Sequence, residues 1–265
     1  MRSTMRLLCL LLPLLLLACT DVSPDPLSDA DLAFENTGDH CRNFLIISPV
    51  TRENARRFVP PEFTLVEPPT AFVELADCEG GQLDGVDTGP YRIAEAAVFI
   101  TPPDGSSFPP LIVNNAIYLL WQLDTNEALS ARKRAIGFFG ETVPGIEVNV
   151  SVNGLPLTAS GSANVPYAHS PYRLDATLIP DNPIGVPLLN SLWHLGPRGV
   201  INTVNDIYQT DQILAGVGTI TVPAGSPLHQ LFGRTQVQGV AAAGIGSFVN
   251  TTRLRPDIQA TAPAP

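Results

Sequence analysis

Glu147-Val148-Asn149-Val150-Ser151-Val152-Asn153-Gly154 alternates valine with polar residues and then stops on Asn-Gly. Period-two alternation puts the valines on one face of an extended strand and the polar residues on the other. Asn-Gly favours the left-handed backbone that a two-residue hairpin turn needs, so residues 143–152 are expected to return antiparallel through 155–162. The same pattern continues on both sides. Residues 43–48, 70–76, 91–101 and 111–123 are extended apolar segments set off by glycine and proline before the hairpin, and 172–179, 200–208, 213–222 and 236–251 follow it. Helices are expected only at 51–57, from Asp124 or Thr125 to Arg134, and for a turn or two at 227–232. Many strands, two or three short helices and 26 prolines predict a mainly β fold, an antiparallel barrel or sandwich.

The N-terminus supplies an address. Arg2 and Arg6 precede an apolar run over residues 7–17, which closes on Leu16-Leu17-Ala18-Cys19. This is the layout of a secretory signal ending in a lipobox; the run is too short for a spanning helix, which needs roughly 20 apolar residues. Processing after Ala18 would leave Cys19 as a lipidated first residue. An ordinary cleaved signal with an accidental Ala-Cys junction is the alternative. The expected layout is a signal at 1–18, a flexible tether at 19–36 rich in Asp, Ser and Pro, one β domain at 37–253, and a disordered tail at 254–265. The expected location is a bacterial cell envelope, outside the cytoplasm, with membrane attachment through the lipid on Cys19.

The chain carries −10 at neutral pH, and loss of the signal with Arg2 and Arg6 would deepen this to −12. An acidic surface without clusters of Lys or Arg repels phosphate backbones, so nucleic acid is excluded as a partner. Cys41 and Cys78 remain once Cys9 leaves with the signal and Cys19 takes lipid. Each borders an apolar run, as neighbouring strands would place them, and an oxidising compartment favours a disulfide. A metal site involving His40 is the alternative, although no Cys-x-x-Cys is present.

Three stretches resemble the acetoacetate decarboxylase-like superfamily. Arg56-Arg57-Phe58-Val59-Pro60-Pro61-Glu62-Phe63 is similar to its short helix running into a proline turn. Tyr91-Arg92-Ile93-Ala94-Glu95-Ala96-Ala97-Val98 is similar to its Tyr-x-Glu strand, with two extra residues between Tyr and Glu. Residues 124–139 follow its order of short helix, basic patch and Gly-Phe strand. The resemblance spans roughly residues 43–253 and implies a cone-shaped antiparallel barrel with an interior pocket. The family's enzymes form a Schiff base between a lysine amine and a β-keto acid, with that lysine in a Gly-Phe-Pro-Lys-Lys stretch after Gly-Arg-Glu. Here Gly137-Phe138 is followed by Phe139, Gly140 and Glu141, and Arg132-Lys133-Arg134 replaces Gly-Arg-Glu. The decarboxylase activity is therefore not carried over.

Lys133 is the sole lysine of the chain. Its cationic neighbours disfavour the charged form, which would make it a displaced nucleophile. Alternatively, the three cations close the last turn of a helix and are screened by water. Glu95 shares a strand face with Tyr91 and Ile93; turned inward it would be a buried acid or base, turned outward a solvated carboxylate.

Other chemistries find no support. Gly-x-Ser-x-Gly is absent, and His40, His169, His194 and His229 form no metal-ligand pair at i, i+2 or i, i+4. Gly216-Val217-Gly218 and Gly244-Ile245-Gly246 lack a strand-to-helix context and fit glycines within strands. No cofactor is implied. Three functions stay open: a barrel that holds a small apolar or carboxylated ligand without decarboxylating it, a lyase or hydrolase on a small oxo-acid using Lys133 or Glu95, and a structural envelope protein.

Overall fold

A computed structural model of the chain describes residues 28–106, 113–151, 157–183 and 188–258. The signal with its lipobox, the Asn153-Gly154 turn and residues 259–265 lie outside this set. In chain order the elements are α1 (Asp29–Leu32), β1 (Phe34–Pro49), α2 (Arg52–Arg56), β2 (Thr70–Cys78), β3 (Gln82–Leu83), β4 (Val86–Asp87), β5 (Tyr91–Ile100), β6 (Val113–Asp124), α3 (Glu127–Ile136), β7 (Ile146–Ser151), β8 (Thr158–Ala163), β9 (Tyr172–Pro183), β10 (Leu188–Gly196), β11 (Gly199–Thr221), α4 (Pro227–Phe232) and β12 (Gln236–Leu254).

Seven strands close on themselves. β1 pairs β2, β2 pairs β5, β5 pairs β6, β6 pairs β10, β10 pairs β11, β11 pairs β12, and β12 returns to β1. Closure removes the free edges that an open sheet would leave. β11 outruns the ring, and its far half pairs β9, which carries β8 and β7. This second layer packs over the outer face of β1, β2 and β5. Phe44, Ile46, Val73, Leu75, Ala94 and Ala96 point outward into a core shared with Val148, Ala159 and Leu174. β2 and β5 are thus covered on both faces, which is why their sequences are almost continuously apolar instead of alternating.

Particular residues set the details. Gly218 and Gly239 face each other across β11 and β12, and a Cβ on either would stand under 3 Å from Ile46 side-chain carbons. The glycines admit that side chain into the core. Arg56 holds the proline turn after α2 by donating to the carbonyls of Pro60 at 3.0 Å and Phe63 at 2.8 Å. Thr51 and Ser226 cap α2 and α4 by accepting from the amides of Asn54 and His229.

The structure corrects several expectations. α3 begins after Asn126, because Asp124 still belongs to β6 and the Asn126 side chain accepts from the Leu129 amide at 2.9 Å. The stretches 200–208 and 213–222 are one strand, β11, with register shifts at Ile207/Gln209 and Thr210/Gln212, where polar residues interrupt the apolar pattern. β10 was not expected at all, since Leu188-Leu189-Asn190-Ser191-Leu192-Trp193 follows no clean alternation. It runs parallel to β6: the chain leaves the ring for α3 and β7–β9, and re-enters in the same direction. The expected tether is also shortened. Leu32 and Phe34 are buried, and Arg132 donates to the carbonyls of Asp31 and Ala33, so α1 and the start of β1 already belong to the folded domain. At the other end β12 continues to a buried Leu254. Among the described residues no helix is long and apolar enough to cross a membrane.

Candidate functional site

The seven ring strands converge on an interior chamber of about 40 Å³, lined by Asn43, Glu74, Ala76, Ile93, Glu95, Ile117, Gln122, Leu192, Asn205, Phe248 and Asn250. Every strand of the ring contributes to that wall. Most of the interior is filled by apolar side chains such as Phe72, Ala97 and Leu119. One water needs roughly 10–15 Å³ of this kind of space, so the chamber has room for about three water-sized groups. It is far smaller than the several hundred Å³ of a typical drug-sized ligand pocket.

Five of its six polar residues form two rows on opposite walls, and Asn43 stands between them on β1. Glu74, Glu95 and Gln122 are direct cross-strand neighbours on β2, β5 and β6. Gln122 Nε2 donates to Glu95 Oε2 at 2.6 Å. The Glu74 and Glu95 carboxyl groups face each other across β2 and β5, so each acts on the other's titration. Glu95 is 6 % exposed, while Glu74 is partly accessible. Burial pushes Glu74 well above the ordinary carboxylate range, and the adjacent Glu95 charge pushes the same way. Burial also raises Glu95, although Gln122, the Lys133 charge and the Glu74 proton oppose it. On the far wall Asn205 and Asn250 are direct neighbours on β11 and β12. The Oδ1 atoms of both are buried without a hydrogen-bond partner.

The raised Glu74 value sets a pH dependence. Between the ordinary value of 4.5 and its higher folded value, the native state keeps a proton that the unfolded chain has lost. Stability is therefore full below the ordinary value and falls as pH rises through the folded one. Glu74→Gln keeps a donor toward Glu95 and removes this titration. The variant is expected to gain on the parent protein as pH rises from about 5 to about 8 in urea denaturation; a difference that does not change with pH would contradict the buried acid.

Lys133 is not a water-screened surface cation. It is 3 % exposed, and its Nζ donates to Asp124 Oδ1 at 3.1 Å and Oδ2 at 2.9 Å, with Asp124 fully buried. Its neighbours turn elsewhere: Arg132 pairs with Asp84, and Arg134 with Glu127 and the Gly140 carbonyl. Lys133 is close enough for its charge to act on Glu95, yet it is not part of the chamber wall. The apolar stem of α3 (Leu129, Ile136) docks on the inner core and fixes that placement. Gly137 ends the helix at φ 92°, a left-handed conformation suited to glycine. At Gly140 a Cβ would lie 2.4 Å from the Ser130 carbonyl and 2.3 Å from Arg134 Cγ. Gly140 is therefore pressed against α3 and admits no side chain without rearrangement.

The remaining sequence candidates fall elsewhere. Cys41 and Cys78 are joined by a disulfide between β1 and β2. His194 is half-buried against Phe138, Phe139 and Tyr118, and desolvation pushes it down to about 4. His169 pairs with Glu141 at 3.1 Å. A wider cleft of about 490 Å³ lies beside Arg42, Asp77 and Arg92. Its arginines are engaged by Asp77, Glu79 and the Ile146 carbonyl, so it offers less free recognition chemistry than the chamber. Sequence reasoning reached Glu95 but missed Glu74, Gln122, Asn205 and Asn250. The available signal was a lone carboxylate inside an apolar run, as in Ala71-Phe72-Val73-Glu74-Leu75-Ala76.

No protein-family profile and no curated protein sequence matches the chain. Solved structures do. An acetoacetate decarboxylase-like enzyme from Sphingomonas wittichii RW1 superposes with a TM-score of 0.57 at 13 % identity, covering 87 % of this chain and 96 % of its own. The enduracididine biosynthesis enzyme MppR, complexed with pyruvate, gives 0.56 at 13 % identity over 83 % and 88 %. An acetoacetate decarboxylase gives 0.55 at 14 % identity over 82 % and 87 %. At this identity the likeness is one of fold: a mainly β, acetoacetate decarboxylase-like architecture.

Proposed function

We propose that this chain is a lipid-anchored protein of the bacterial cell envelope whose acetoacetate decarboxylase-like barrel holds a small ligand without covalent chemistry. One observation carries the non-covalent part: the sole lysine is buried and bound to both oxygens of Asp124, away from the chamber wall. A Schiff base needs a free, neutral amine within reach of a carbonyl carbon. Here the amine is spent on a carboxylate. The chamber, by contrast, is lined by a carboxyl pair and four side-chain amides. Its volume fits a ligand of very few non-hydrogen atoms.

The carboxyl pair favours a second reading, in which Glu74 and Glu95 act as general acid and base on a small oxo-acid as a lyase or hydrolase. The holder is preferred because the chamber has little space for both a substrate and a reacting water. Saturable thermal stabilisation by a panel of two- to four-atom organic molecules supports the holder; turnover of any oxo-acid that is lost in Glu95→Gln would favour the enzyme, and neither response would favour a structural envelope protein.

The anchor supports the address through Arg2, Arg6, the apolar run and Leu16-Leu17-Ala18-Cys19. Cys19→Ser is expected to move the protein from the membrane pellet to the soluble fraction. Retention of that variant in the pellet would remove the lipid anchor from the proposal.

A further inference from the structure

The far end of the β11–β12 ribbon carries an apolar face open to solvent. Val217 and Val240 are direct cross-strand neighbours, 62 % and 60 % exposed, and Ile47 stands beside Val240 on β1. Ile179, 50 % exposed, lies on β9 two residues beyond Thr177, the neighbour of Val217. Three of the four large apolar side chains that stand exposed among the described residues are therefore gathered on one sheet face. A single exposed valine needs no explanation, but a contiguous apolar patch marks an interaction surface. The same face runs into a cleft of about 420 Å³. Thr219 and Gln238, two residues along from Val217 and Val240, oppose each other and line it, together with Gln236, Phe232 and Arg234. No acidic side chain lines this cleft, in a chain of net charge −10. Arg52, Arg57, Arg173 and Arg255 are spent on Glu67, Glu53, Asp175 and the carboxylates of Asp104 and Asp257. The Arg234 side chain is exposed and has no ion-pair or hydrogen-bond partner among the described residues.

We propose that this surface binds an alkyl carboxylate, a single-chain amphiphile of the fatty-acid class, with its head on Arg234 and its chain across Val240, Val217 and Ile47. A guanidinium matches a carboxylate in two parallel hydrogen bonds, and the side-chain amides of Gln236 and Gln238 carry donors for its remaining lone pairs. One cation balances a monoanion, whereas a phosphate head of about −1.5 to −2 would leave charge over. The head site is a recessed cleft, which suits one molecule better than a flat bilayer surface. A second copy of this acidic chain would bring its own repulsion. The site is separate from the chamber, and the two share no lining residue.

The test is equilibrium dialysis of radiolabelled octanoate against the full-length, lipid-bearing protein in detergent micelles, with protein-free micelles as the blank. Saturable, stoichiometric binding is expected, weakened about ten-fold by Arg234→Gln through loss of the charge-assisted pair. Val217→Ser/Val240→Ser, at two exposed positions and checked for folding by circular dichroism, should weaken it by a similar factor. Acetate, which lacks the chain, and octanol, which lacks the charge, should each compete about ten-fold less well than unlabelled octanoate. Octylammonium competing as well as octanoate, or unchanged binding in Arg234→Gln, would overturn the proposal. Octanoate binding lost in Glu95→Gln but kept in Arg234→Gln would also overturn it, by placing the anion in the chamber and leaving the holder in place. With no saturable octanoate binding the proposal fails outright: Arg234-dependent attachment to anionic vesicles would then make the face a membrane contact, and Val240-dependent dimerisation a contact between copies.

Discussion

Lys133→Met is expected to destabilise the fold by about 3–5 kcal/mol, the usual cost of stripping one partner from a buried ion pair. Both side chains are out of water, at 4 % and 0 % exposure for Lys133 and Asp124. Methionine fills much of the lysine's space, so the loss isolates the charge. Asp124 would keep Ser130 Oγ at 3.5 Å as a weak donor and would have to stay ionised in a dry site or take up a proton. Burial already raises Asp124 above the ordinary carboxylate range, with Lys133 as the main opposing influence. The double variant Asp124→Leu/Lys133→Met should recover most of the loss, because an apolar pair has no charge to strand. Urea denaturation of both variants measures this. A single-variant loss under about 1 kcal/mol would mean that the amine is loosely held and available for chemistry.

The second large effect concerns the disulfide. Cys41 and Cys78 are separated by 37 residues, and closing a loop of that length removes about 4 kcal/mol of unfolded-chain entropy in the usual treatment. The bond ties β1 to β2 where Arg42 pairs with Asp77, two residues from Asn43 and Ala76 of the chamber wall. Cys41→Ser/Cys78→Ser should therefore lower stability by about 4 kcal/mol and also weaken ligand-induced stabilisation. Identical urea midpoints with and without reductant would show that the bond contributes nothing to the folded state.

How much of this was legible in the sequence depends on the residue. The runs on either side of Asn153-Gly154 announce strands because their periodicity is local, and β7 and β8 do pair antiparallel; but Ser151 stands opposite Thr158, two residues from the register that a two-residue turn at Asn153-Gly154 would set. Ring closure is not local. It depends on β12 meeting β1, with Phe44 opposite Ala243, some two hundred residues apart in sequence. The parallel entrance of β10 beside β6 leaves no mark in its own residues either. In the site, Glu95 was legible as a carboxylate inside an apolar strand, but its partner was not. Only register places Glu74 opposite Glu95 and Asn205 opposite Asn250. The basic run Arg132-Lys133-Arg134 looked like a solvated helix end. Helical geometry turns its middle residue inward, where Asp124 at the end of β6 waits for it.

The most direct test of the central claim is covalent trapping. The full-length protein is incubated with acetoacetate or pyruvate and sodium borohydride, and its intact mass is measured. An unchanged mass is predicted, since the only lysine amine is held by Asp124 outside the chamber. A reduced adduct mapping to the peptide that contains Lys133 would contradict this account and make the protein an imine-forming enzyme.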